Sequence, residues 1–368
     1  MSGIYIHIPF CRQACNYCNF HFATSLTKKD RLLSAIQKEI ILTAAKEPQV
    51  IETIYFGGGT PSLLPATDIV SVLDTIHNQY RVDSEAEITL EANPDDIVVD
   101  KLKAWQQAGI NRLSMGIQSF FEEDLQWMNR AHNAQQAAAG LELALKYFSN
   151  ITIDLIYGTP GLTDEKWHEN VQKAIAYGVP HLSCYALTIE PQTPLDKQIR
   201  QHKKADIDPE VQSRQFLLLM EWLRSAGYEH YEISNFARPG NRSRHNSSYW
   251  QGKPYLGIGP SAHSYNGSER RWNPANNQQY IDALNQNRLP FEMETLTPVQ
   301  QLNETIMISL RTMEGLDLSR FSAREREAIN HTSEKYLERE WLLLQGERLV
   351  LTDAGKLYAD GIAADLFF

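Results

Sequence analysis

Three of the chain's four cysteines fall within eight residues, as Cys11-Arg-Gln-Ala-Cys15-Asn-Tyr-Cys18. Thiolates packed this closely ligate soft metals or iron–sulfur clusters. A structural zinc site closes with four protein ligands. The fourth is missing here, because Phe20 stands two residues after Cys18. His21 is the nearest substitute, which leaves zinc as the minor alternative. Three cysteines and one open position suit a [4Fe–4S] cluster whose fourth iron binds something exchangeable. Ile4-Tyr-Ile-His-Ile8 precedes the loop as a short β-rich run, and Pro9 ends it. The loop therefore follows the first strand, at its carboxyl end, where ligand sites of α/β barrels lie.

Other residues able to carry chemistry recur at strand ends. Gly57-Gly-Gly-Thr-Pro61 would let a backbone approach a ligand closely and take positive φ. A tight βα turn explains the same residues equally well. Glu91 ends the next strand, where a carboxylate can accept hydrogen bonds from a ribose diol or simply face solvent. Gln118, Arg130 and Asp154 lie on successive units. Asp154 sits in an apolar stretch, Ile-Thr-Ile-Asp-Leu-Ile, and a buried unpaired carboxylate is costly. Arg130 is its candidate partner in a plain ion pair.

The elements that would position these residues alternate. Helical periodicity covers 28–45, 67–76 (with Thr67-Asp68 as a cap), 99–108, 134–147, 163–177 and 209–226. Strand-like runs cover 50–56, 88–91, 112–115, 151–156 and 182–187. Residues 190–208 read as a surface excursion. Repeated β-then-α units of about 30 residues imply a parallel sheet with right-handed crossovers. Six such strands are too few to close an eight-stranded barrel, so the expected fold is α/β with an open, partial (β/α)6 barrel. The division expected is 1–235 for this core, 236–277 for an aromatic-rich connecting segment, and 278–368 for a C-terminal helical domain. There, helices at 278–284 and 298–310, a helix through Tyr336, a hairpin turning at 345–348, and a helix over 352–364 resemble a winged-helix-like α+β subdomain.

Composition narrows the function classes. The 368 residues carry a net charge of −10 and are 42% hydrophobic and 22% charged, ordinary for a soluble globular protein. That charge argues against non-specific nucleic-acid binding, and a DNA-binding iron–sulfur sensor is the remotest reading. No apolar run approaches the ~20 residues of a membrane span, and no signal peptide is evident at the start. Cys184 reads as core, and the absence of a disulfide framework suits the cytoplasm.

The Cys-x3-Cys-x2-Cys spacing, with Tyr17 before the last Cys, resembles the radical S-adenosylmethionine (SAM) signature. Tyr5-Ile-His-Ile-Pro-Phe-Cys11, Gly57-Gly-Gly-Thr-Pro61, Glu91-Ala-Asn-Pro94, Gly116-Ile-Gln-Ser119, Asp154-Leu-Ile-Tyr-Gly158 and Gly257-Ile-Gly-Pro-Ser-Ala262 resemble, in that order, the anaerobic coproporphyrinogen III oxidase family. The resemblance covers essentially the whole chain. It implies a radical SAM barrel with a [4Fe–4S] cluster on Cys11, Cys15 and Cys18 and SAM on the fourth iron. It further implies Tyr5, Gly58 and Glu91 at that SAM. Tyr17, Gly59, Thr60, Gln118, Arg130 and Asp154 would line a second SAM-like site, with Ala186 and His263 aligning more loosely.

The family holds true oxidases, which decarboxylate two propionates of coproporphyrinogen III, and heme chaperones of the HemW type. The oxidase pattern has a fourth cysteine where this chain has Phe20, and usually a longer segment ahead of the motif. His245-Asn-Ser-Ser-Tyr-Trp250 matches the heme-binding motif of the HemW type. His245 would be the iron ligand, since a neutral imidazole commonly is one. Tyr249 and Trp250 would pack on the porphyrin, and Arg242 and Arg244 could pair its propionates. The resemblance thus implies a chaperone without coproporphyrinogen oxidase activity that passes heme to acceptor hemoproteins. Membrane-bound respiratory enzymes would be among them, met through transient membrane contact. Oxygen-independent coproporphyrinogen III oxidase is the enzymatic alternative.

Overall fold

In β1 (Gly3–Ile8), Ile4, Ile6 and Ile8 are fully buried and alternate with Tyr5 and His7. This period of two assigns one face to covering helices and the other to the barrel interior. Each of those isoleucines contributes about 2 kcal/mol of transfer free energy before entropy is counted. The same alternation runs through β2 (Ile51–Gly58), β3 (Val82–Ala92), β4 (Arg112–Gln118), β5 (Ile151–Tyr157) and β6 (His181–Ala186). All six pair in parallel in sequence order. The computed structural model describes residues 3–44 and 50–368, and the end of the first expected helix, at Ala45, lies outside them.

The helices are α1 (Lys29–Ala44), α2 (Ala66–Gln79), α3 (Val99–Gln107), α4 (Glu122–Trp127), α5 (Ala134–Leu145), α6 (Asp164–Ala176), α7 (Pro194–Arg200) and α8 (Pro209–Ser225); six fall close to their periodicities, and the short α4 and α7 were not expected. On α1, Leu32, Leu33, Ile36 and Ile40 form the stripe that packs against the strands. The expected cap of α2 does not form. Its N-cap is Pro65 without a side-chain bond, because the helix begins at Ala66 and takes Thr67 and Asp68 into its first turn; the Asp68 carboxylate there accepts from Lys29 Nζ at 2.5 Å. The excursion at 190–208 contains α7. Leu195 is fully buried there, in a satellite core with Leu125, Met128, Ile156 and Leu187.

The sheet continues beyond the six units. A hairpin of β7 (Glu229–Glu232) and β8 (Asn235–Ala237) pairs antiparallel with β6. After α9 (Arg244–Trp250), β9 (Tyr255–Ile258) pairs in parallel with β1 on the opposite edge. Strands β10 (His263–Tyr265), β11 (Glu269–Trp272) and β12 (Glu292–Thr295) extend that edge, with α10 (Asn277–Asn285) between β11 and β12. The aromatic-rich segment is therefore built into the sheet on both edges.

The remainder has its own core, in which Ile306, Leu316, Ile329, Leu349 and Ile362 meet. It comprises α11 (Pro298–Leu310), β13 (Leu316–Asp317), α12 (Ala323–Glu338), β14 (Leu342–Gln345), β15 (Arg348–Leu351), α13 (Asp353–Lys356) and α14 (Ala359–Asp365). The strands form a small antiparallel sheet, β13-β15-β14, which gives the winged-helix-like arrangement. The expected single helix over 352–364 is two, and Tyr358 at the break stacks on Trp341 at 4.1 Å.

Gly257 lets β9 and β10 close on one another. A Cβ there would stand 2.0 Å from the His263 carbonyl oxygen. Gly257→Ala is expected to cost about 2–4 kcal/mol, measured as a lowered urea midpoint. An unchanged midpoint would contradict this account of the edge.

Candidate functional site

The cysteine loop lies across the carboxyl ends of the parallel strands. Its start is tied to β2, because Gly59 N–H donates to the Ile8 carbonyl at 2.9 Å and Thr60 N–H to that of Phe10 at 2.7 Å. A Cβ on Gly59 would stand 2.6 Å from the Phe10 oxygen, so this approach requires glycine. Arg12 pairs with Asp95 at 2.9 Å and Asp96 at 2.7 Å, just after β3. Asn16 N–H donates to the Met128 carbonyl, and the Asn16 carbonyl accepts from Leu195 N–H of α7. The loop is thus held by four elements far apart in sequence.

Donors are aimed at two of the sulfurs. Thr60 Oγ1 lies 3.7 Å from Cys11 Sγ, and Arg130 Nη1 lies 3.3 Å from Cys15 Sγ. Burial pushes the Cys11 thiol up to about 11 and raises that of Cys18. The free thiols of Cys11 and Cys18 therefore hold their protons, which a metal would displace. Among the described residues no three His, Cys, Asp or Glu side chains converge on one metal ion. His21 Nε2 is engaged by Asn277 Oδ1 at 2.7 Å. This counts against the zinc alternative. Phe20 points outward, 67% exposed.

Arg130 does not pair with Asp154 as expected. It donates to Tyr17 Oη (3.3 Å), Asn93 Oδ1 (2.9 Å) and the Gly116 carbonyl (2.9 Å), besides Cys15. A Cβ on Gly116 would meet Arg130 Nη2 and Gln118 Nε2 at 3.0 and 3.1 Å, so these two side chains converge. Gln118 ends β4 with φ of 66°, turning the chain out of the strand. Asp154 faces the interior beside Ser183, its register partner. Burial raises its carboxyl to about 6, against the pull of Ser183, Arg130 and Arg112.

Glu91 is central to the interior. It accepts from Tyr55 Oη at 2.9 Å and from Gly58 N–H at 3.1 Å. Burial first, and the nearby Asp154 charge, raise its carboxyl to about 7. Gly58 has φ of 108°, and a Cβ there would stand 2.5 Å from the His7 ring. His7 donates from Nε2 to the His21 carbonyl at 2.9 Å, so its Nδ1 accepts from Tyr5 Oη at 3.2 Å. Ala186 ends β6. His263 lies on β10 with its ring 6.4 Å from Trp272. Tyr55, His7 and Asn93 were not singled out in the sequence, although each stands in or beside a motif that was. The inward phase of each strand is the signal that finds Tyr55 and His7.

The chain resembles known proteins along nearly its whole length. The radical SAM superfamily profile matches residues 5–174, and the HemN C-terminal domain profile matches residues 296–358. The heme chaperone HemW of Mycobacterium tuberculosis H37Rv is 36% identical over 371 residues, covering 99% of this chain and 94% of that protein. The chain belongs to the HemW family of the radical SAM superfamily. HemW of Bacillus subtilis is 33% identical, covering 98% of each chain. Coproporphyrinogen III oxidase (HemN) from Escherichia coli, described as a radical SAM enzyme, superposes with a TM-score of 0.86. It covers 99% of this chain and 89% of its own at 24% identity, which shows the shared fold. Membership of the radical SAM superfamily implies a [4Fe–4S] cluster and SAM.

His245, of the motif expected to hold heme, lies on α9 at the opposite end of the barrel from the cysteines. It is 1% exposed. Nδ1 is 2.8 Å from Thr53 Oγ1, and Nε2 is 2.8 Å from Tyr249 Oη. Its ring stacks on Tyr55 at 5.0 Å, and burial lowers its pKa to about 3. Glu87 accepts from the N–H groups of Arg244 and His245 and so anchors the helix. With α9 docked, neither ring nitrogen is free for iron. Tyr249 turns its edge to Tyr255. Trp250 faces a cleft of about 270 Å³ against the C-terminal subdomain, with the Arg311 guanidinium above it at 5.5 Å. Arg242 is paired with Glu229 and Glu314, and Arg244 donates to the Glu85 carbonyl. Cys184 is core, as expected. No described helix is long and apolar enough to cross a membrane.

The Glu91 carboxyl has a testable pH signature. Its pKa in the fold exceeds its unfolded value, so the native state holds the extra proton between about pH 4.5 and 7. Stability of the cofactor-free protein therefore falls as pH rises through that window. Glu91 is only partly buried, which holds the effect to about 1–2 kcal/mol. Urea unfolding at pH 5 and pH 8 should show a smaller loss for Glu91→Gln than for wild type. Equal losses would contradict the assignment.

Proposed function

We propose that this protein is a heme chaperone that carries a [4Fe–4S] cluster with exchangeable SAM and passes heme to acceptor hemoproteins. The observation that carries this is similarity over nearly the full length to relatives named heme chaperones. The interior supports the cofactor half. Cys11, Cys15 and Cys18 would hold the cluster. Tyr5, Gly58 and Glu91 would contact the SAM bound to it, and Tyr17, Gly59, Thr60, Gln118, Arg130 and Asp154 the neighbouring space. The cluster would supply an open iron for SAM and a source of one electron. The chain's own contribution is orientation and charge. Glu91 is pre-set by two donors to accept from a diol. Arg130 brings a fixed positive charge and N–H donors toward the cysteine loop, where they would stabilise thiolate charge.

Heme would be taken by His245 after α9 leaves its seat, which breaks the bond of Nδ1 to Thr53; the bond of Nε2 to Tyr249 is internal to the helix and would give way to ring rotation. Tyr249 and Trp250 would then be available as aromatic walls. Acceptors in the membrane would be met from the cytoplasmic side without a spanning helix.

Two experiments test this reading. Micromolar heme added to anaerobically reconstituted protein should give a Soret band that His245→Ala loses; no band in wild type sinks the chaperone reading. Replacing Cys11, Cys15 and Cys18 together by Ala should reduce bound iron to background, and iron content equal to wild type would refute the cluster assignment. Conversion of coproporphyrinogen III to protoporphyrinogen IX with SAM and reductant would favour the oxidase.

A further inference from the structure

The interior of the barrel is layered, and one side chain bridges the layers. Gly3, Thr53 and Glu87 share the layer nearest the amino ends, through the pairings Gly3↔Thr53 and Thr53↔Glu87. His245 fills the space beside them. Tyr5 and Tyr55 are direct partners in the next layer, with their rings stacked at 6.0 Å and 27°. Beyond them lies the layer of His7, Gly57 and Glu91, toward the cysteine loop. Tyr55 reaches both ways. One face of its ring lies on the His245 imidazole at 5.0 Å and 25°. Its hydroxyl donates to Glu91 at 2.9 Å.

We propose that His245 and Tyr55 are positioning residues for Glu91, so that the imidazole that would take heme iron also holds the SAM-facing carboxylate in place. This rests on the reading above, in which SAM meets Glu91 and heme meets His245. The physical grounds are independent of either ligand. A tyrosine hydroxyl stands at the far end of a long lever, and a small tilt of the ring moves it out of hydrogen-bond range. Tyr5 covers one side of the ring and His245 seats it on α9's side. The imidazole is itself fixed at both nitrogens, by Thr53 and Tyr249. Its helix is fixed by Glu87. If the seat is lost, Glu91 retains the single donor at Gly58 and is no longer pre-set for a diol. Gly57 tightens the same geometry, because a Cβ there would stand 2.9 Å from both Glu91 Oε1 and the Tyr55 ring. Nothing in this arrangement touches the cysteines, so the effect falls on SAM affinity rather than on cluster retention.

The test is equilibrium dialysis of SAM against the anaerobically reconstituted full chain and three variants, with iron content and the heme Soret band measured on each. Tyr55→Phe keeps the stack and removes the hydroxyl. His245→Phe keeps an aromatic ring against Tyr55 and removes the iron ligand. His245→Ala removes both. The expected result is SAM affinity about five- to tenfold weaker in Tyr55→Phe and in His245→Ala. In His245→Phe it should stay within about twofold of wild type, a rescue by ring alone. Iron content should be unchanged throughout, and the Soret band lost from both His245 variants. Equal SAM affinity in wild type and Tyr55→Phe overturns the proposal, and this variant decides the matter even where His245→Ala does not fold. A Soret band undiminished in His245→Phe overturns the shared use of the imidazole. Wild-type protein that binds no SAM overturns the underlying reading, and the proposal with it.

Discussion

A strand in a partial barrel must present an apolar row to its helices and a second row to an interior that cannot be filled by backbone. In this protein the second row is polar and aromatic. Tyr5, Thr53, Tyr55, Glu87, Glu91, Arg112, Asp154 and His181 all lie on strands whose alternate residues are buried apolar side chains. Buried polar groups need partners, so interior side chains bond one another across the strands. Arg112 lies between Glu87 and Thr152, Thr152 meets His181, and His181 meets Tyr231. The rest of the molecule depends on closing this network at both ends.

At the carboxyl ends the closure is the cysteine loop. It has little apolar content of its own and is held by bonds to β2, to the segment after β3, to the α4–α5 connection and to α7. Such a loop can keep three thiols partly exposed while their positions stay fixed. At the amino ends the closure is α9, whose first N–H groups meet Glu87 and whose His245 supplies both hydrogen bonds and a stacking surface. A helix of seven residues is unstable alone, so its docking is a tertiary property that a ligand with greater affinity for the undocked form can reverse. The heme uptake proposed above would use this reversible docking.

Much of this was legible in the sequence. The six βα units, the position of the cysteine loop and the strand-end location of Glu91 and Gln118 follow from periodicity and breaker residues, whereas Asp154, expected near a strand end, lies at the middle of β5. Other features did not follow, each for a physical reason. The pairing of β9 with β1 joins residues about 250 apart, and no local pattern encodes such a contact. Asp154 looked in need of Arg130, but the open barrel gives it Ser183 and a shared interior, while Arg130 is drawn to the cysteine loop by Cys15 and Tyr17. His245 read as an open ligand from its motif. Its burial depends on Thr53 and Tyr55, which lie nearly 200 residues earlier and carry no signal other than their inward phase.

The central claim is that heme is cargo. The direct measurement is transfer. Protein with cluster and SAM is loaded with one heme, freed of excess, and mixed with a heme-free acceptor hemoprotein whose spectrum reports filling. The account predicts that the acceptor gains its heme spectrum as this protein loses its own, faster than from free heme at the same concentration. Heme that stays bound while the acceptor remains empty would contradict it.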